Sequence, residues 1–130
     1  MSTYVNRMVP DPTEAGLMRR LERLTGTPGS TCLPRYGRLG RTVRSEPAFQ
    51  KALARAKALA DPHRLMAITL LRRQGELCAC ELQAALEVSH ATVSHHMSVL
   101  VSAGLVRTRR EGKWTYYRLG PGAREGALPV

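Results

Sequence analysis

At 130 residues the chain has room for one domain and a short appendage, with 43% hydrophobic residues for a compact core. That core must be largely aliphatic, because there is one Phe and one Trp. A formal charge of +10 and a pI near 10.6 argue against a cationic partner and for a polyanion, nucleic acid before membrane, although a merely solvated basic surface gives the same totals.

Met1 to Val9 lacks the apolar core of a secretory signal, and no stretch approaches ~18 apolar residues. The expectation is a cytoplasmic protein without a membrane partner. Residues 1–46 read as a basic, partly disordered N-terminal extension. A short helix is expected from about Asp11 to Leu24, with Leu17, Met18, Leu21 and Leu24 at helical spacing. Thr25 to Ser45 then carries Gly26, Pro28, Gly29, Pro34, Gly37 and Gly40, which argues against a long regular element. Arg35, Arg38, Arg41 and Arg44 recur every third residue, and no acid lies between Glu22 and Glu46. Such a segment is attracted to phosphate whatever its conformation, or is simply a solvated tail.

Residues 47–119 read as one folded domain. Ala48 to Ala60 is rich in helix formers, with Phe49, Leu53, Ala56 and Leu59/Ala60 on one face. Asp61-Pro62 restarts a helix, the Asp as cap and the Pro at the first helical position. That helix carries Leu65, Met66, Ile68, Leu70 and Leu71 and stops at Gly75; His63 reads as a first-turn surface residue. A third helix is expected from about Cys78 to Leu86. Ser89 caps a fourth, running through Val93, Met97 and Leu100 to Gly104. Leu105 to Arg110 and Lys113 to Leu119 alternate around Glu111-Gly112 as a β-hairpin, anchored by Trp114, Tyr116 and Tyr117. The sum is mainly α with a small β-hairpin: a winged helix-turn-helix, followed by a short flexible tail at 120–130.

In the fourth helix, Ser89, His90, Thr92, Ser94 and His95 put small polar and imidazole groups on the first two turns, the end that a recognition helix offers to DNA. Capping explains Ser89 equally well, and solvent explains Thr92. His90, His95 and His96 also suggest metal ligation, but His95 and His96 diverge by about 100° on a helix, so both do not readily share one ion. In the hairpin, Arg109, Arg110 and Lys113, flanked by Arg107 and Arg118, suit backbone phosphate; an ordinary charged edge that discourages strand pairing is the alternative.

Cys78 and Cys80 lie about ten residues ahead of that helix. Three cysteines form an odd set, which points to metal or redox chemistry rather than to a disulfide framework. Thiolates select soft or borderline ions. On a regular helix, residues two apart project about 200° from one another, so an ion held by both sulfurs must distort the segment or find the helix starting later. An ion that bends this segment favours one geometry of the adjoining reading helices, which is the differential affinity a switch requires. Two incidentally buried cysteines, or a dithiol or persulfide switch, are the alternatives.

The text Ala58-Leu59-Ala60-Asp61-Pro62-His63-Arg64-Leu65, Glu76-Leu77-Cys78-Ala79-Cys80-Glu81-Leu82, Val93-Ser94-His95-His96-Met97, Ala103-Gly104-Leu105-Val106 and Gly112-Lys113-Trp114-Thr115-Tyr116-Tyr117-Arg118-Leu119 carries a family likeness. Residues 48 to 119 resemble the arsenical-repressor branch of the ArsR/SmtB family of winged-helix, metal-sensing repressors. The resemblance implies a homodimer that occupies double-stranded operator DNA and leaves it when As(III) or Sb(III) binds cysteine thiolates, with Cys78 and Cys80 as inducer ligands. Gln83 stands where the branch commonly has a third cysteine, which makes Cys32 the candidate third ligand. The family's zinc-type C-terminal site is not expected here, since no His, Asp or Cys stands among residues 115–130. Dimerisation is expected through Ala48 to Ala60, with residues 11–24 as an additional surface. No phosphate-cradling loop, carboxylate pair or activated nucleophile suggests an enzyme. A thiol-redox or persulfide-responsive repressor, a cadmium or lead sensor, and an architectural DNA-binding protein are the competing readings.

Overall fold

The computed structural model describes residues 12–123. The chain divides into two compact units at Glu46/Pro47. The first unit is a helical pair, α1 (Glu14–Thr25) and α2 (Gly29–Ser45). Thr13 caps α1, its Oγ1 accepting from the Gly16 amide at 3.0 Å, and Gly26 ends the helix in the left-handed region at φ 70°. The predicted start at Asp11 lies outside the described residues, and Leu24 of the predicted apolar face is exposed.

The α2 helix overturns the expectation that glycine and proline would prevent a long element here. The two glycines that frame the turn have separate tasks. Gly26 supplies the αL stop, whereas a Cβ on Gly29 would sit 2.6 Å from the Cβ of Met18, so Gly29 permits close approach of the two helices. Pro34 and Gly37 are accommodated within the helix, which keeps one buried side chain, Cys32, against α1.

The second unit contains α3 (Pro47–Leu59), α4 (Pro62–Gln74), β1 (Glu76–Cys78), α5 (Ala79–Leu86), α6 (His90–Ser102), β2 (Val106–Glu111) and β3 (Trp114–Leu119). Asp61 caps α4 as its sequence suggests, accepting from the amides of His63 (2.9 Å) and Arg64 (3.1 Å), with Pro62 in the first turn. Ser89 does the same for α6, accepting from the Thr92 amide at 3.2 Å. Between α5 and α6 the chain turns on Glu87, which takes φ 56° without being glycine.

Ile68 and Leu71 of α4, Leu82 of α5, Val93, Met97 and Leu100 of α6, and Leu105 and Val106 at the start of the wing form one aliphatic core, each at most 2% exposed. Burial of each such side chain contributes about 1.5–3 kcal/mol relative to exposure. The wing is not a two-stranded hairpin but a three-stranded antiparallel sheet in the order β1-β3-β2. The strand at Glu76–Cys78 pairs Glu76 with Arg118, Leu77 with Tyr117 and Cys78 with Tyr116. Three residues carry no alternation long enough to read, and their partners lie some forty positions on. The hairpin turn falls on Gly112-Lys113, one residue later than expected, with Gly112 at φ 61°. Trp114 does not anchor the strands; it is 47% exposed near the wing tip, and Tyr117 is the buried aromatic. The chain stays pinned just past β3: Pro121–Ala123 forms a 3₁₀ turn, with the Gly120 amide on Leu105 O (2.8 Å) and the Gly122 amide on Gly104 O (3.0 Å). Among the described residues no helix is long and apolar enough to cross a membrane.

The contrast between glycines is testable. Gly29→Ala should destabilise the N-terminal pair by about 1–3 kcal/mol through overpacking, because Met18 backbone as well as its side chain blocks the new methyl. Gly40→Ala, with nothing within 4 Å, should stabilise it by about 0.5–1 kcal/mol. Amide hydrogen exchange in α2 should therefore quicken in the first variant and slow in the second.

Candidate functional site

The α6 helix is oriented by its buried face. With Val93, Met97 and Leu100 committed to the core, Ser89, His90, Ser94 and His95 are left exposed and Thr92 half-buried. Ser89 and Thr92 are also joined by a hydroxyl–hydroxyl bond of 2.9 Å, so part of their hydrogen-bonding capacity serves the helix start itself. His96 is not on this outer face. It is 8% exposed and packs back toward α4, which corrects its grouping with His90 and His95.

A cleft of about 470 Å³ opens between the start of α6 and the wing. His90 and Ser94 line one side; Thr108, Arg109, Arg110, Lys113 and Thr115 line the other. Five of the residues singled out from the sequence, His90, Ser94, Arg109, Arg110 and Lys113, thus converge on one basic concavity. Thr108 and Thr115 were missed; their alternation along the hairpin strands was the available signal. Ser89, Thr92 and His95 are not among its lining residues.

The three basic wing residues are not equivalent. Arg109 is held by Glu76 through two bonds (Nε–Oε2 3.0 Å, Nη2–Oε1 2.7 Å) and by Glu111 through a third (Nη1–Oε2 2.8 Å). Its guanidinium also lies over the Tyr116 ring, 4.3 Å from the centroid. The Arg109 hydrogen bond holds the Glu76 carboxyl below its ordinary range, and both acids raise the basicity of Arg109. Its charge is therefore already countered, and Arg109 ties the start of β1 to the wing more than it offers charge to phosphate.

That same β1 ends in Cys78. The helix begins one residue later than expected, at Ala79, so Cys78 lies on extended backbone (φ −82°, ψ 164°) and Cys80 in the first turn of α5. Glu81 reaches back to accept from the Cys78 amide at 2.9 Å, and that bond is the main reason its carboxyl lies below the usual range. Cys78 is half-buried and Cys80 exposed; neither is in a disulfide. Ala79, between them, lines the basic cleft. Cys32 differs: it is 3% exposed within the α1–α2 pair, its Sγ 3.1 Å from Thr25 Oγ1 and 3.5 Å from Thr27 O. Ligation through Cys32 would first require the helical pair to open.

A second cluster joins three helices. Arg64 donates from Nε to Ala58 O (2.7 Å) and reaches His96 Nδ1 with Nη1 (3.2 Å). The Asp61 carboxylate lies 4.0 Å from that nitrogen. His63, expected on the surface, stacks at a tilt against His96, the ring centroids 5.4 Å apart. Burial is the first cause that lowers the His96 pKa; the Arg64, His63 and His95 charges act in the same direction and Asp61 opposes them.

Two outcomes are expected. Removing Arg110 or Lys113 should reduce the slope of log affinity for duplex DNA against log salt by roughly one unit each, whereas Arg109→Ala should change it by clearly less. Equal losses at all three would mean that phosphate displaces the two glutamates. The second concerns pH. A His96 pKa held below 6.5 means that the unfolded chain takes up a proton first, so stability is complete above about pH 6.5 and declines as pH falls toward the folded value. Thermal unfolding between pH 7.5 and 5.5 should show that decline, and His96→Gln should flatten it.

The profile described as "Bacterial regulatory protein, arsR family" matches residues 61–108, from the α4 cap into the wing. The chain is 49% identical over 65 residues to the arsenic resistance transcriptional regulator ArsR1 of Pseudomonas putida, covering 50% of this chain and 51% of that protein. It is 43% identical over 63 residues to a cadmium resistance transcriptional regulatory protein CadC homolog of Staphylococcus aureus, covering 48% and 52%. The chain thus spans about half the length of these relatives. Among solved structures, it resembles the solution structure of a homodimeric winged helix-turn-helix DNA-binding domain from Mycobacterium bovis, a possible ArsR-family transcriptional regulator, at TM-score 0.56 and 34% identity, covering 65% of this chain and 74% of that one. With its cap, core, reading helix and three-stranded wing all within the matched segment or continuous with it, the chain belongs to the ArsR family of bacterial regulatory proteins.

Proposed function

We propose that the chain is a transcriptional repressor that binds double-stranded operator DNA as a homodimer and releases it when As(III) or Sb(III) is bound by the thiolates of Cys78 and Cys80. The observation that carries this reading is the position of Ala79. It sits between the two cysteines and lines the same basic cleft as His90, Ser94, Arg110 and Lys113. Any ion that draws the two sulfurs together acts on backbone that is part of the DNA-facing surface.

The geometry supports a cost to the DNA-binding form. Cys78 is paired with Tyr116 in the sheet, and Cys80 is in a helical turn. Bringing both sulfurs onto one ion must loosen the end of β1, the start of α5, or both. Since β1 has three residues, the loss of one ladder position is a large fraction of its pairing. Reading helix and wing then lose their common alignment, and affinity for DNA falls through the differential stability of two forms. Dimerisation is supported by α3: Phe49 and Leu53 are 37% and 38% exposed in the single chain, and Ala58 alone on that helix is buried. A soft thiolate pair also suits cadmium or lead, and its exposure on Cys80 admits a thiol-redox or persulfide switch as the second reading.

Arsenite titration of an operator complex under reducing conditions tests the assignment. The complex of the unaltered protein should dissociate. Cys78→Ser and Cys80→Ser should each bind the operator nearly as well as the unaltered protein and fail to release it at the same arsenite concentration. Release that requires an oxidant or a persulfide donor would select the redox reading, and release by cadmium but not arsenite the other metal reading.

A further inference from the structure

Among the described residues, one group of three side chains has donor atoms close enough to share an ion, and it lies away from the cysteines. We infer that Asp61, His63 and His96 form a second cation site, for a borderline divalent ion of the zinc, cobalt or nickel class. One ligand atom from each lies within 4.8 Å of the other two. A tetrahedral ion with bonds near 2.0–2.1 Å keeps its ligands about 3.3 Å apart, so modest side-chain rotations close the set.

The fold fixes the three groups before any ion arrives. Asp61 is immobilised as the cap of α4, its Oδ1 accepting from the His63 and Arg64 amides and lying 4.0 Å from His96 Nδ1. His63 follows in the first turn of the same helix. His96 approaches from α6, its backbone set by the fully buried Met97 beside it. Two imidazoles and one carboxylate match borderline divalent ions; the set contains no thiolate and so does not suit trivalent arsenic. The fourth position would remain for water, as in other three-ligand sites.

Arg64 is the opponent. Its Nη1 is 3.2 Å from His96 Nδ1, the nitrogen that faces Asp61, so an ion and the guanidinium compete for one lone pair. Binding therefore detaches Arg64 from His96, and with it the side-chain link that runs from the end of α3, through Ala58 O, to the reading helix. The site is thus placed to alter how α6 is held, by a route independent of Cys78 and Cys80.

The inference does not rest on the arsenic reading, and its test needs neither DNA nor arsenite. Co(II) is titrated into the full chain carrying Cys78→Ser and Cys80→Ser, with visible d–d absorption as the readout. One saturable Co(II) per chain is expected, displaced by Zn(II). Adding His63→Ala, a partly exposed position whose loss should leave the fold and its circular dichroism intact, should weaken binding at least tenfold. Adding His95→Ala, whose exposed ring lies 5.8 Å from that of His96, should leave it unchanged. Arg64→Gln should tighten binding, the sign expected of a removed competitor and not of a damaged fold. No saturable Co(II), or binding indifferent to His63→Ala, overturns the inference.

Discussion

Val93, Met97 and Leu100 are fully buried, and because they recur at spacings of four and three they occupy one side of α6. The placement of the candidate functional groups on α6 depends on that commitment. It turns His90 and Ser94 toward the wing, and it carries His96, next to Met97, inward against α4. The same core receives Leu82 from α5 and Leu105 and Val106 from the start of the wing, so α5, α6 and the wing share one packed interior. Close-packed interiors pass on displacement rather than absorb it. A change at the α5 start therefore has a physical path to the basic cleft between α6 and the wing.

Around that core the polar groups act as fasteners between elements. Arg109 fastens the wing to β1 through Glu76, and Arg64 fastens α3 and α4 to α6 through Ala58 O and His96. Each is an arginine whose fixed fork of donors reaches two elements at once, a task a lysine does poorly. The exposed ion pairs of Arg109 add little to global stability. Their effect is on geometry, in choosing which of several close arrangements is held.

Much of this was legible from the sequence because it is local. The Asp61-Pro62 restart, the Ser89 cap, the apolar spacing of α6 and the Gly112 hairpin are written within a few residues of where they act. What was not legible is long-range. Three residues of β1 become a strand only because residues 116–118 lie alongside. Gly29 reads as a breaker until Met18 is seen against it. Arg109 reads as a free cation until Glu76, thirty-three positions away, is found to hold it. His96 belongs with Asp61 and His63 rather than with His95, its neighbour in sequence, because a helix separates adjacent residues by about 100° while packing unites distant ones. Ala79 and the basic residues of the wing line one cleft because the short β1 strand, paired with β3, sets the start of α5 beside the hairpin.

Trp114 is the only tryptophan in the chain, and it stands half-exposed near the end of the wing with the Lys113 ammonium 5.8 Å from its ring. Indole emission depends on local polarity and nearby charge, and no second indole elsewhere in the chain dilutes it. The molecule thus carries its own optical probe at the far end of the element that Cys78 borders through β3. Events at the thiols can be followed at the wing by colour shift and intensity alone, without a label and without the DNA being present.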